Sequence, residues 1–398
     1  MTYLLTCIAA ATILADLLLI FFWKFNFKKY IRNSEPGTTR DVHPELQPIS
    51  RPLIKETPPV AVLLAVRNEE KLLPTCLDSL LASDYPGEQL TIWIGNDASE
   101  DRTLEIARSY AAQHANIRVI DVKDRMGDAQ AKANVLAHLV QAVEAEATPA
   151  DLLLVTDADI QVQPFWIRGM VQHWQATPKT KESGVVTGIT LVDSSSHWGQ
   201  LQRIDWLFAL GMVKVASDWG MPIATMGNNQ LLYRPAYRET GGYESLPFSI
   251  TEDFQMLQEI AQRGYHHRNV VSAQVTAFTQ PMRSWEELLQ QRRRWMHGAI
   301  RLPWPIVMIL FLQALFYPTL ILLCFYALFT ALGLWLLKIG LQSFFISRVV
   351  EKIRLRKKYR HQLYRYLTLY DLYAALLTLL TIAVYYLPIR TRWKGRRY

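Results

Sequence analysis

The run DLLLVTDAD, residues 151–159, sets the reading of this sequence. DLLLVT reads as a short buried strand, because a continuous apolar run of this length is too short for an ordinary helix. The strand ends in Asp157-Ala158-Asp159, so two carboxylates emerge together at its carboxyl end. Upstream the same grammar repeats. VAVLLAV (60–66), TIWIG (91–95) and IRVID (117–121) read as strands. Helical spacing follows the first in Leu72, Leu73, Cys76, Leu77, Leu80 and Leu81, and further helices are expected over 103–112 and 129–144. Strands alternating with helices predict an α/β fold with an open, mostly parallel sheet. In such sheets ligands bind beyond the carboxyl ends of the strands. Polar clusters stand at those positions: Arg67-Asn68-Glu69, Asn96-Asp97 and Asp157-Ala158-Asp159.

Around this body lie apolar runs of membrane length. Residues 2–23 are broken only by Asp16 and a few threonines. About 20 apolar residues span a bilayer. Basic residues follow the run at Lys24, Lys28 and Lys29 and none precedes it, so it reads as an uncleaved anchor with its C-terminal flank in the cytoplasm. Residues 303–347 are long enough for two spanning helices, with Lys338 their only charge, and 366–387 form a last apolar segment. That segment is basic on both flanks, so either it is re-entrant or interfacial, or the stretch before it crosses an odd number of times. Asp16 and Asp371 lie inside apolar runs with no evident sequence partner; a protein groove or water near a helix end accounts for them most simply.

The net charge is +8, from 43 Lys+Arg and 35 Asp+Glu, and half the chain is hydrophobic, which excludes a disordered chain. From Lys338 onward there are 14 basic residues against Glu351 and Asp371, a tail of +12 that leaves −4 elsewhere. These basic residues flank apolar runs, so they point to anionic lipid and topology and not to nucleic acid. The three cysteines cannot all pair, which excludes a disulfide-stapled secreted module and fits a reducing compartment. Residues 33–59, rich in proline, read as an extended linker. The expected organisation is an anchor over 1–30, a linker over 31–59, a cytoplasmic domain over 60–300 and a membrane region with a basic tail over 301–398.

The carboxylates carry the chemistry. Asp157 and Asp159 suit Mg²⁺ or Mn²⁺ held against a diphosphate. No GxxxxGK[ST] or GxGxxG run is present, which argues against a P-loop or a dinucleotide site. Ser99 or Asp101 can cap the helix after Asp97, leaving Asp97 for a ligand. Lys132, early in its helix, is either a solvated side chain or a partner of phosphate. Thr251-Glu252-Asp253 open a helix with Thr251 as the expected cap, and a carboxylate there can also take a proton from an acceptor hydroxyl. In LLQQRRRWMHGAI, Gln291, Arg294 and Trp295 share one helix face. Indole and amide suit a sugar acceptor, and Arg can steady a leaving diphosphate.

In order, AVRNEE (65–70), NDASED (96–101), AKAN (131–134), TDAD (156–159), GNNQLLYR (227–234), TED (251–253) and QRRRW (291–295) resemble the membrane-bound inverting family 2 glycosyltransferases, the superfamily of cellulose, chitin and hyaluronan synthases. The closing WKGRRY (393–398) resembles a bacterial subset with short tails. The resemblance implies a nucleotide-sugar-binding domain of the glycosyltransferase A type, flanked by an N-terminal transmembrane anchor and C-terminal transmembrane helices. It implies that Ala65, Arg67, Glu69 and Asp97 hold nucleobase and ribose, with Lys132 and Asp157 near the nucleotide. Asp157 and Asp159 would hold the metal. Asp253 would be the general base, with Glu252 its competitor, and Gln291, Arg294 and Trp295 would bind acceptor and diphosphate. The implied partners are a nucleotide sugar, expected to be a UDP-sugar, and a lipid or saccharide acceptor at the membrane. The implied location is a multi-pass protein of a bacterial inner membrane. Asn96 departs from the usual Asp, and Ala131 from the usual Gly before the Lys. A processive, exporting polysaccharide synthase and a non-catalytic membrane scaffold remain the alternatives.

Overall fold

The structure is a computed structural model. It describes residues 1–26, 34–40, 43–176, 182–387, 392–393 and 396–397, with side chains described outside 24–42 and 388–398. The basic flank at Lys24, Lys28 and Lys29 and the side chains of the closing WKGRRY therefore lie outside the described residues. In chain order the elements are α1 (Thr2–Asn26), β1 (Ser34–Arg40), β2 (Ile49–Pro52), β3 (Val60–Val66), α2 (Leu73–Leu81), β4 (Leu90–Asn96), α3 (Thr103–Gln113), β5 (Ile117–Asp121), α4 (Ala131–Glu144), β6 (Leu152–Thr156), β7 (Ile160–Val162), α5 (Trp166–Gln175), β8 (Ser183–Thr187), β9 (Ile189–Val192) and α6 (His197–Asp218). There follow β10 (Asn229–Tyr233), α7 (Arg234–Glu239), α8 (Glu252–Gln262), β11 (His266–Asn269), β12 (Thr276–Thr279), α9 (Trp285–Ala299), α10 (Trp304–Tyr326), α11 (Leu328–Ile353), α12 (Lys357–Tyr364), α13 (Leu367–Tyr386) and the short pair β13 (Arg392–Trp393) and β14 (Arg396–Arg397). The chain divides into two compact units, one of Ile31–Leu191 and Ala216–Gln280, the other of Met1–Tyr30, Val192–Val215 and Pro281–Tyr398.

The first unit is α/β. Its seven-stranded sheet runs β11-β8-β10-β6-β3-β4-β5. All seven residues of β3 are buried, as a central strand covered on both faces requires. Each such Leu or Val side chain contributes about 1.5–3 kcal/mol of transfer free energy. β3, β4, β5 and β6 are mutually parallel, as expected. β10 is not: it runs antiparallel to β6, from Asn229 opposite Thr156 to Tyr233 opposite Leu152. The sheet is therefore mixed, and the reversal has a consequence. β10 begins where β6 ends, so Gly227 and Asn228 arrive at the carboxyl end of the sheet beside Asp157. Asn229 anchors that arrival. It is fully buried, donates to the carbonyls of Ile189 and Val275, and accepts from the Trp166 indole at 2.8 Å.

The stretch expected as a linker is partly built into this unit. β1 and β2 form an antiparallel pair. Leu46 and Ile49 are buried, the His43 ring stacks on Phe278 at 3.7 Å, and Arg51 pairs with Asp84 at 2.5 Å.

The second unit is helical. Among the described residues, four of its helices are long and apolar enough to cross a membrane: Thr2–Trp23, Trp304–Tyr326, Leu328–Ile353 and Leu367–Tyr386. Such a chain is a membrane protein. The last apolar segment is one continuous helix of 20 residues, long enough to span a bilayer. α1 packs on α10 and α11 through Ala9 and Ile13 against Phe316, and through Leu5 against Leu323 and Ala331.

The intramembrane acids do have partners. Asp16 on α1 pairs with Lys338 on α11 at 3.0 Å, and Gln313 on α10 bonds both. Asp371 on α13 accepts from the Tyr317 hydroxyl and the Trp335 indole, each at 2.7 Å. Of the two simple readings, packing against protein holds and water near a helix end does not. Asp16, Lys338 and Asp371 are all nearly fully buried within protein. Every oxygen of the two carboxylates receives a donor, as a low-dielectric site demands.

Candidate active site

Three loops converge at the carboxyl ends of the α/β unit's strands. The loop after β3 is stitched to the loop after β4 by side chains. Asn68 N donates to Ser99 Oγ at 3.1 Å, Glu100 N to Asn68 Oδ1 at 2.8 Å and Glu70 N to Asp101 Oδ2 at 3.1 Å. Asp101 also accepts from Thr103 N and so starts α3, while Ser99 serves the loop instead of the helix. Burial, the largest single influence, works to raise the Asp101 carboxyl, but those bonds together hold it below its ordinary range. Asn68 and Ala98 both have positive φ, 53° and 50°, an uncommon conformation for side-chain-bearing residues. Strain of this kind gathers at ligand-binding loops. Arg67 turns its guanidinium onto the carbonyls of Asp97 and Ala98, at 2.6 and 3.3 Å, and lies 3.6 Å from Glu100. Ala65 lies beside Gly95 in the parallel pairing of β3 and β4, and the Glu69 amide donates to Thr103 Oγ1 at 2.7 Å.

The two departures from the family pattern have structural explanations. The Asn96 amide donates to Asp121 Oδ1 at 2.8 Å, and its oxygen accepts from Ser99 N. An aspartate there would face the Asp121 carboxylate. Ala131 sits at φ 51°, a left-handed conformation that glycine adopts without strain and alanine does not.

Lys132 is the hub of the charged cluster. Its ammonium lies 2.5 Å from Asp157 Oδ1, 3.1 Å from the Gly227 carbonyl and 3.9 Å from Glu252 Oε1. Burial works to lower its pKa, but the Asp157 and Glu252 carboxylates outweigh it and raise the value above that of an ordinary lysine. Asp253 lies on the other side of Gly227. Its Oδ2 accepts from Gly227 N and its Oδ1 from Phe254 N, both at 2.8 Å. Any Cβ on Gly227 would come within 2.9 Å of the Asp253 side chain, so only glycine permits this approach. Thr251 stands at the N-cap of α8 as expected, but its side chain makes no capping bond; its hydroxyl lies 3.3 Å from that of Ser249.

Asp159 accepts from Thr279 Oγ1 at 3.3 Å and lines a 110 Å³ cavity with Leu72, Cys76 and Phe278. That volume is too small for a nucleotide sugar. Among the described residues no group of three His, Cys, Asp or Glu side chains is placed to hold a metal ion. The donor set is two carboxylates, which fits a hard cation completed by substrate phosphate oxygens and water and not a closed protein cage.

The sequence therefore named Lys132, Asp157, Glu252 and Asp253 without their grouping, and the structure brings them together around Gly227. That glycine has no signal of its own beyond its place in GNNQLLYR. Gln291, Arg294 and Trp295 belong to α9 in the helical unit. Gln291 is buried with Oε1 accepting no hydrogen bond, and Trp295 is half-buried.

Comparisons with known proteins bear on the fold and the family. A poly-beta-1,6-N-acetyl-D-glucosamine synthase of Staphylococcus epidermidis is 28% identical over 198 residues, 49% of this chain and 43% of that protein. A beta-monoglucosyldiacylglycerol synthase of Trichormus variabilis is 27% identical over 203 residues, 50% of this chain and 40% of that protein. The chain thus spans less than half the length of these relatives. Among solved structures, the fold is similar to that of a mannosyltransferase from Pyrobaculum calidifontis in complex with GDP-Man and Mn²⁺, with a TM-score of 0.54 and 18% identity over 96% of this chain and 98% of that one. The family model for Glycosyl transferase family 21, a family 2-like group, matches residues 36–398. With nearly the whole chain matched by that model, this protein belongs to glycosyl transferase family 21.

Proposed function

We propose that this protein is a membrane-bound, inverting glycosyltransferase that moves a hexosyl group from a nucleoside-diphosphate sugar to a lipid-linked or saccharide acceptor. The observation that carries the reading is the cluster of Lys132, Asp157, Glu252 and Asp253 around Gly227. Its carboxylates outnumber its one ammonium, as a site meant for a cationic or metal-bound ligand requires.

Ala65, Arg67, Glu69 and Asp97 line the nucleoside end of the strand-end cleft, with a UDP-sugar as the expected donor. Lys132 and Asp157 lie at the diphosphate end. Asp157 and Asp159 would hold Mg²⁺ or Mn²⁺, which when bound offsets charge on the departing diphosphate. Asp253, fixed by two backbone N–H groups, takes the acceptor hydroxyl proton. The acceptor oxygen then bonds to the anomeric carbon as the carbon–oxygen bond to the diphosphate breaks, so one displacement inverts the centre. No protein nucleophile is needed. Gln291, Arg294 and Trp295 are read as the acceptor and diphosphate contacts. Residues 60–300 are read as a cytoplasmic domain between the 1–30 anchor and the 301–398 membrane region.

A processive polysaccharide synthase is the second reading, favoured by the QRRRW run and by the named activity of the staphylococcal relative. The test is incorporation of label from a panel of radiolabelled nucleotide sugars by membranes containing the full chain, with products extracted into organic solvent and sized. Transfer from one donor to a small extractable product supports the first reading. A long, non-extractable polymer supports the second, and no incorporation from any donor overturns both.

A further inference from the structure

The helical unit holds a charge pair that no motif predicts. On α6, Asp205 Oδ2 is bonded by Arg292 Nη2 of α9, and Asp205 Oδ1 accepts from the Tyr370 hydroxyl of α13 at 3.4 Å. Both partners of the ion pair are well buried, 15% and 11% exposed at the side chain. Arg292 is one of the two unassigned residues inside the Gln291-to-Trp295 motif. Its guanidinium lies over the Trp295 ring, 4.2 Å from the centroid, as the i to i+3 spacing on one helix allows. The residue after Asp205 completes the arrangement. Trp206, itself buried, meets Trp295 edge-to-face with centroids 5.5 Å apart and planes at 62°. The indole of Trp295 is thus bounded by Arg292 and by Trp206, and both contacts trace to two consecutive residues of α6.

We infer that Asp205-Trp206 is a positioning element for the acceptor site, holding Arg292 and through it the Trp295 indole in one orientation. The inference rests on the proposed reading of Gln291, Arg294 and Trp295 as acceptor contacts. A buried ion pair adds little net stability over a well-packed apolar pair, because desolvation offsets the attraction. What it supplies is direction: a carboxylate held by Tyr370 fixes the plane of a guanidinium, and the guanidinium fixes the ring beneath it. Burial, the largest influence on Asp205, pushes its carboxyl pKa up, and Arg292 opposes that shift. Gln291, at i−4 from Trp295 and on the same face, keeps its buried Oε1 unmatched, as an acceptor for a ligand hydroxyl would. Sugars are bound in this way, against an indole face with amide hydrogen bonds at the rim. Asp205 and Tyr370 would touch no substrate; they are positioning residues.

The test uses the full chain in lipid nanodiscs, labelled with 5-fluorotryptophan, with the Trp295 resonance assigned from Trp295→Phe. Asp205→Asn and Arg292→Gln should move that resonance alike, and the double variant should move it no further, because both break one linkage. UDP affinity by calorimetry should stay at the wild-type value. With the donor found by the screen above, acceptor KM should rise about tenfold in each single variant while kcat stays within about twofold, the pattern of lost uniform binding. Tyr370→Phe should give a smaller shift in the same direction, and it covers the case in which Asp205→Asn does not fold. A Trp295 resonance unmoved by either substitution, additive shifts in the double variant, or an equal loss of UDP affinity would overturn the inference. If the wild type transfers no sugar, the proposed function fails, yet the fluorine shifts still decide whether Asp205 holds Trp295.

Discussion

Two lysines in this protein each meet a carboxylate inside a helix-and-acid cluster, and their surroundings assign them opposite roles. Lys338 and Asp16 are 1% and 4% exposed at the side chain, and Gln313 completes a closed set of one cation, one anion and one amide. Nothing is left over for a ligand. Lys132 and Asp157 are 25% and 27% exposed, and Glu252 adds a second carboxylate to the same ammonium. Asp253 adds its field as well. One site is balanced and sealed; the other has surplus negative charge and an opening. The first fits a structural clamp on the membrane helices, the second a binding site. Ion pairing alone does not separate them, and burial with charge count does.

The comparison breaks first at Lys338. Lys338→Met leaves Asp16 buried without its cation and should cost about 3–5 kcal/mol, read as lowered thermal stability in detergent micelles. Asp16→Asn with Lys338→Met should recover most of that loss, because no uncompensated charge remains. Deleting residues 1–30 should leave the remainder membrane-bound, since α10, α11 and α13 persist, but destabilised to the same extent as Lys338→Met without its rescue. A truncate found in the soluble fraction would contradict the membrane reading of those helices.

The open site is probed by Asp159→Asn, expected to lower transfer by more than ~100-fold, the scale of losing one electrostatic stabiliser. Excess EDTA should abolish transfer, and Mg²⁺ or Mn²⁺ should restore it. Full turnover in EDTA contradicts the metal assignment. The smallest effect belongs to Ala131→Gly, which relieves a left-handed alanine and should raise stability by about 0.5–1 kcal/mol after the glycine's larger unfolded-state entropy is subtracted. Unchanged or lowered stability would mean the loop bears no strain.

Much of this was legible in sequence because it is local. β3 and β5 fall where VAVLLAV and IRVID place them, the first a continuous apolar run and the second a short run rich in β-branched residues. The helix at Ala131–Glu144 and the apolar helices follow from period and length in the same way. Direction was not legible. Periodicity cannot tell a parallel strand from an antiparallel one, so the reversal of β10, which carries Gly227 to Asp157, had no sequence signal. Nor could spacing pair Asp16 with Lys338, 322 residues away, or Asp205 with Arg292, 87 residues away. The hairpin within 31–59 was hidden by prolines that suit extended linkers and edge strands equally. The candidate carboxylates and Lys132 were found by motif order; their grouping, and the glycine between them, needed the fold.

The proposed function makes Asp253 the base and leaves the neighbouring acid out of proton transfer. Glu252 faces Lys132, whereas Asp253 is oriented by Gly227 N and Phe254 N, so the two carboxylates are held by different groups. The decisive measurement is donor affinity by calorimetry together with transfer rate for Asp253→Asn and Glu252→Gln. The account predicts that Asp253→Asn abolishes transfer while nucleotide-sugar affinity stays near wild type, and that Glu252→Gln is milder. Substantial activity in Asp253→Asn beside a dead Glu252→Gln reverses the assignment, and loss of donor binding in both contradicts the site itself.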